Sequence, residues 1–74
     1  MATPDEIKAR IETGIPGSRA DVQSDDNVHF TAHVIADAFA GIGRIEQHRL
    51  VYGIFAEGEI GGPIHALSLR TETP

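Results

Sequence analysis

The stretch "VHFTAHVIA" at Val28–Ala36 changes residue class at almost every step. Val28, Phe30, Ala32, Val34 and Ala36 share one parity, and His29, Thr31, His33, Ile35 and then Asp37 share the other. Only an extended backbone sends every second side chain to the same face. The run therefore predicts a β-strand with one apolar face, and no other segment constrains the fold as tightly. Ala20 and Val22 alternate more weakly just upstream and predict a short partner strand. "SDDN" (Ser24–Asn27) lies between them with the composition of a turn, so the pair reads as a hairpin.

Two helices flank this hairpin in sequence. Thr3 is a plausible N-cap, Pro4 stands at the first helical position, and Glu6 completes a capping box. Ile7, Ile11 and Ile15 then recur every four residues as one stripe of an amphipathic helix, which "GIPG" (Gly14–Gly17) ends. "FAGIG" (Phe39–Gly43) breaks the strand. From Arg44 a second helix is predicted, with Ile45, Arg49/Leu50, Val51 and Ile54/Phe55 as its recurring set, before "EGEIGGP" terminates it. Residues Ile64–Thr71 alternate again as a final strand.

The expected fold is thus α+β in the order α-β-β-α-β. The helix between the second and third strands is a crossover, so those two are expected to run parallel if they are neighbours. A three-stranded mixed sheet with both helices on one face buries both helix stripes economically. At 74 residues the chain reads as one small domain, residues 1–74. Such a domain buries only roughly 60–65% of the surface its unfolded chain exposes.

Composition removes several function classes. The chain has no cysteine, so it can supply neither a disulfide nor a thiolate ligand. Its formal net charge is −5, a balance that opposes nucleic-acid binding driven by phosphate contacts. No apolar run approaches the ~18–20 residues of a membrane span. "MATPDEIKAR" lacks the apolar core of a secretory signal, and a cytoplasmic location is expected.

Candidate chemistry centres on the histidines. His29 and His33 are spaced i, i+4, which chelates a metal on a helix. On a strand the same spacing spans about 13 Å, too far for one ion. Carboxylates at Asp25 and Asp26 and at Glu57 and Glu59 read as solvated turn acids. No nucleophile, acid–base pair or cofactor loop stands out, so no enzymatic activity is expected. Arg44 and His48 share one helix face with Arg49 beside them, either as a solvated surface or as a small basic patch. His65 opens the last strand in step with Leu67 and Leu69, which predicts a ring facing the core side at the sheet's edge. If the last two strands are parallel, His65 lies beside His29 and the 24–27 turn.

"HFTAHVIADAF", Gly41, "QHRLVY" and "IHALSLRTETP" stand at intervals that resemble the BolA family, in particular its short bacterial members. The resemblance covers residues 28–74 closely and residues 4–27 by element order. It implies a fold like a type II K-homology domain. It also implies a non-enzymatic adaptor that pairs with a monothiol glutaredoxin around a [2Fe–2S] cluster, in iron–sulfur trafficking or iron sensing. In that arrangement the glutaredoxin and its bound glutathione supply thiolates, and the last-strand histidine, His65 here, supplies an imidazole. Some members add a ligand from the loop between the first two strands. Here that loop has neither Cys nor His, which leaves His29, or Asp26 or Asp25, as the second ligand. Gln47 stands where the family often has Arg. Relatives have also been cast as transcriptional regulators, which implies an alternative role in DNA binding through Arg44, His48 and Arg49.

Overall fold

The computed structural model describes residues 2–74. Helix α1 (Pro4–Gly14) leads into strands β1 (Arg19–Gln23) and β2 (His29–Ile35). A short 3-10 turn (Asp37–Phe39), helix α2 (Arg44–Tyr52) and strand β3 (Ala66–Glu72) follow. The sheet order is β1-β2-β3, with β1 antiparallel and β3 parallel to β2. The mixed three-stranded sheet and the α-β-β-α-β order are those expected from the sequence.

Thr3 caps α1 by accepting the Glu6 N–H at 3.2 Å, and Pro4 stands at its start without an unpaired donor. The predicted stripe is buried in full, with Ile7, Ile11 and Ile15 all in the core. Phe30, Ala32 and Val34 from β2 meet it, together with Phe39, Val51, Ile64 and Leu67. Each fully buried aliphatic or aromatic side chain of this kind contributes about 1.5–3 kcal/mol. The opposite parity of β2, with His29, Thr31 and His33, faces away from the core beside Ser68 and Arg70 of β3.

Two local expectations fail. The region after β2 is not a plain break, because Asp37–Phe39 wind into a 3-10 turn that inserts the fully buried Phe39. Helix α2 also ends earlier than its apolar spacing suggests. Of its residues only Val51 is buried, while Ile45 is 69% exposed and Leu50 45%. Phe55 and Ile54 reach the core from the turns beyond the helix, so their periodicity is not helical packing.

Gln47 ties α2 in place. Its amide nitrogen donates to the Phe39 carbonyl at 3.3 Å and the Ile42 carbonyl at 3.0 Å, and its amide oxygen accepts from the Thr71 hydroxyl at 2.7 Å. At this position a neutral fork links the 3-10 turn, the helix and β3.

Candidate functional site

The 24–27 turn is built by two short side chains. The Ser24 hydroxyl donates to the His29 carbonyl at 2.6 Å and accepts the Asn27 N–H at 2.9 Å. Asp26 Oδ1 accepts the Val28 and His29 N–H groups at 3.0 and 2.9 Å. Asn27 completes the reversal at φ 60°, a left-handed conformation that asparagine tolerates.

The second oxygen of Asp26 lies 2.7 Å from His29 Nδ1. The His29 backbone bond first, then its ring and the Val28 amide, hold the Asp26 carboxyl well below its ordinary value of 3.8. An ionised carboxylate can only accept, so the proton of this contact resides on Nδ1 and the Nε2 of a neutral ring carries the lone pair. Asp26 is therefore not a loosely solvated turn acid. It fixes both the backbone and the tautomer of His29.

His65 arrives from the other side of the rim. The segment after α2 is held by Glu59, whose carboxylate forms a two-pronged ion pair with Arg10 of α1 and also accepts the Ala56 N–H at 2.8 Å. The Arg10 guanidinium sits over the Phe55 ring, 4.6 Å from its centroid. These contacts, Arg10 first, pull the Glu59 carboxyl down to about 2. Ile64 N–H then donates to the Glu59 carbonyl at 3.1 Å, and its side chain is fully buried.

That anchor corrects the expected direction of His65. The strand begins at Ala66, so His65 precedes it and does not share the phase of Leu67 and Leu69. Ile64 takes the inward direction and leaves the His65 ring exposed. Ala66 pairs with His29 in the parallel register, and its N–H donates to the Val28 carbonyl at 3.1 Å. The His29 and His65 rings consequently meet edge to face, with centroids 4.9 Å apart and planes at 73°. Beside them lies a depression of 360 Å³ lined by Gln23, Asp25, Asp26, Thr31 and Ser68.

The other two histidines lie elsewhere. His33 directs Nε2 at Glu72 Oε1, 2.9 Å away, and takes no part in the rim. His48 is half-buried and lines a separate cleft with Arg44, Leu69, Arg70, Thr71 and Glu72. Arg49 does not join that cleft lining; it bonds Glu46 at 2.7 Å along the helix.

A family model described as BolA-like protein matches residues 9–74. The BolA protein homologue from Coxiella burnetii superimposes with a TM-score of 0.86 at 41% identity, over 100% of this chain and 94% of that one. Human BolA-like protein 1 is 36% identical over 76 residues, covering 97% of this chain and 49% of the relative. The chain belongs to the BolA family. The solved XC975 protein, at 45% identity and a TM-score of 0.64, covers 96% of the BolA chain and 88% of its own. The chain spans about half the length of the human relative, 49%. No helix among the described residues is long and apolar enough to cross a membrane.

The rim of this BolA chain brings two imidazoles and one carboxylate together. Among the described residues no group of three or more His, Cys, Asp or Glu converges as a metal site, and the sequence has no cysteine. Iron–sulfur clusters need thiolates or their imidazole substitutes. The chain itself offers two imidazoles on one accessible edge. One of them has its Nδ1 on a carboxylate, the arrangement that orients a metal-ligating histidine.

Proposed function

We propose that this BolA chain, as one domain over residues 1–74, is a non-enzymatic cytoplasmic adaptor. It pairs with a monothiol glutaredoxin and lends imidazole ligands to a [2Fe–2S] cluster, for iron–sulfur trafficking or iron sensing. The glutaredoxin and its bound glutathione supply the thiolates. The observation that carries this reading is the 4.9 Å approach of the His29 and His65 rings on one exposed rim.

His65 is the primary ligand because its ring is exposed and its backbone is anchored on both sides, by buried Ile64 and by β3. His29 is the second. Asp26 is already occupied by two backbone N–H groups and the His29 ring, so its part is to orient His29. Asp25 lines the adjoining depression without a comparable tether. Neutral imidazole in place of thiolate lowers the negative charge of a cluster site and raises its potential. It also suits release, since a protonated imidazole cannot bind metal.

Co-expression with a monothiol glutaredoxin, followed by visible absorption and circular dichroism, tests the reading. The spectrum of the glutaredoxin homodimer should change when the wild-type chain is added. An unchanged spectrum, or the same change with His65→Ala, would overturn the ligand assignment. The DNA-binding alternative has less support: Arg49 is taken by Glu46 and lies outside the cleft that holds Arg44 and His48.

A further inference from the structure

A second cleft, away from the histidine rim, concentrates positive charge in a chain whose net charge is −5. It has a volume of 410 Å³, and Arg44, His48 and Arg70 line it with Leu69, Thr71 and Glu72. Four ion pairs form among the described residues, through Arg10, His29, His33 and Arg49; none engages Arg44 or Arg70. Two guanidinium groups are thus left unpaired in one concavity. Its one acid, Glu72, already holds the His33 ring at 2.9 Å. His48, which lines the cleft, has its Nε2 buried with no hydrogen-bond partner among the described residues. A buried polar nitrogen without a partner is costly and rare in a folded protein.

Another mixed-charge cleft, between α1, β1 and β2, shows the contrast. Lys8, Arg19 and His33 line it, but Glu12 and Asp21 stand against them. In the Arg44–Arg70 cleft the balance is positive, and Leu69 adds a partly buried apolar wall.

We propose that this cleft binds a small phosphate-bearing molecule. Arg44 and Arg70 would each present planar donors to the phosphate oxygens. His48 would supply a further donor after a small turn of its half-buried ring, which relieves the orphaned Nε2. The volume is in the range of small-molecule sites and exceeds what a bare anion needs, so an organic monoester can rest on Leu69. A nucleic-acid strand fits less well, because a polyanion would meet the chain's net charge of −5 as well as the cleft itself. This site is independent of the cluster reading, and neither depends on the other.

Nitrogen-15 labelled protein titrated with inorganic phosphate, then with glycerol 2-phosphate, tests the proposal by backbone amide shifts. Sodium chloride at matched ionic strength serves as the reference. Saturable shifts confined to residues 44–48 and 69–72 are expected, with the ester the tighter ligand if its organic part contacts Leu69. Arg44→Gln and Arg70→Gln should each weaken binding by about tenfold or more, the scale of one lost charge-assisted contact. Arg19→Gln removes the same charge outside the cleft and should bind as wild type does. Shifts that sodium chloride reproduces, equal weakening by Arg19→Gln, or saturable binding of a short single-stranded DNA without phosphate binding would each overturn it. Amide spectra of the variants alone report whether they are folded, and His48→Gln gives an additional folded variant with the same expected direction.

Discussion

Asp26 and His29 hold each other twice, through the His29 N–H at 2.9 Å on one carboxylate oxygen and through its ring Nδ1 at 2.7 Å on the other. A single side chain thereby sets where the strand begins and which ring nitrogen is left to act. Asp26→Asn separates the two tasks. The amide oxygen can still accept backbone N–H groups, but the amide nitrogen cannot accept from Nδ1. The hairpin should survive, while the His29 ring loses its fixed tautomer. Ring nitrogen shifts should move away from the Nδ1–H tautomer that Asp26 selects. Cluster affinity in the proposed glutaredoxin complex should fall by about 10–100-fold, the usual scale for losing an orienting carboxylate.

The Arg10–Glu59 pair makes the loop before His65 acid-sensitive. Glu59 titrates at about 2 in the folded chain against an ordinary 4.5. A depressed carboxyl pKa stabilises the fold at all pH values above the ordinary one, and that contribution fades as pH falls from 4.5 towards 2. Asp26 shifts in the same direction and adds to the trend. Thermal unfolding followed from pH 7 downward should show a falling midpoint over that window. Glu59→Gln should lower the midpoint at neutral pH and flatten its acid dependence, and faster hydrogen exchange at the Ala56 amide should accompany it.

The pattern of the strands was legible in the sequence because a two-residue period has one physical meaning when a single face is buried. Ile7, Ile11 and Ile15 were legible for the same reason on a helix. The direction of His65 was not, since alternation from Leu67 and Leu69 extrapolates inward, whereas buried Ile64 resets the phase where the strand emerges from its turn. Helix α2 is shorter than its apolar spacing predicts, because Ile45 and Leu50 are apolar yet exposed. The roles of Glu59 and Asp26 depend on partners 49 and 3 residues away respectively, and turn composition alone records neither. Their only signal was an excess of acids beside a histidine and a turn.

Gln47 replaces charge with a tether, and its removal should be felt in stability before function. Gln47→Ala deletes three hydrogen bonds and leaves the Phe39 carbonyl less well satisfied. Net contributions of about 0.5–1.5 kcal/mol per bond, discounted for the exposed one, predict a loss of about 1–3 kcal/mol in urea unfolding. The His29–His65 rim lies outside this network, so spectra of the folded variant in the cluster complex should match wild type.

Gly62→Ala tests whether the turn sets the rim. A Cβ on Gly62 would stand 2.6 Å from the Gly58 carbonyl oxygen, a backbone atom that cannot rotate aside. Gly61 beside it occupies φ 91°, so the turn has little freedom to absorb the shift elsewhere. The displacement must pass along the chain, because Glu59 is fixed by Arg10 on one side and Ile64 is fixed in the core on the other. Overpacking of this kind costs about 1–3 kcal/mol. Unfolding in urea should report that loss, and His65 ring shifts should move even where the protein is fully folded. If stability falls while the His65 ring signals stay at their wild-type positions, the turn does not position His65. A concerted change in both, together with a weaker glutaredoxin complex, would place the geometry of His65 in the packing of residues 58–64.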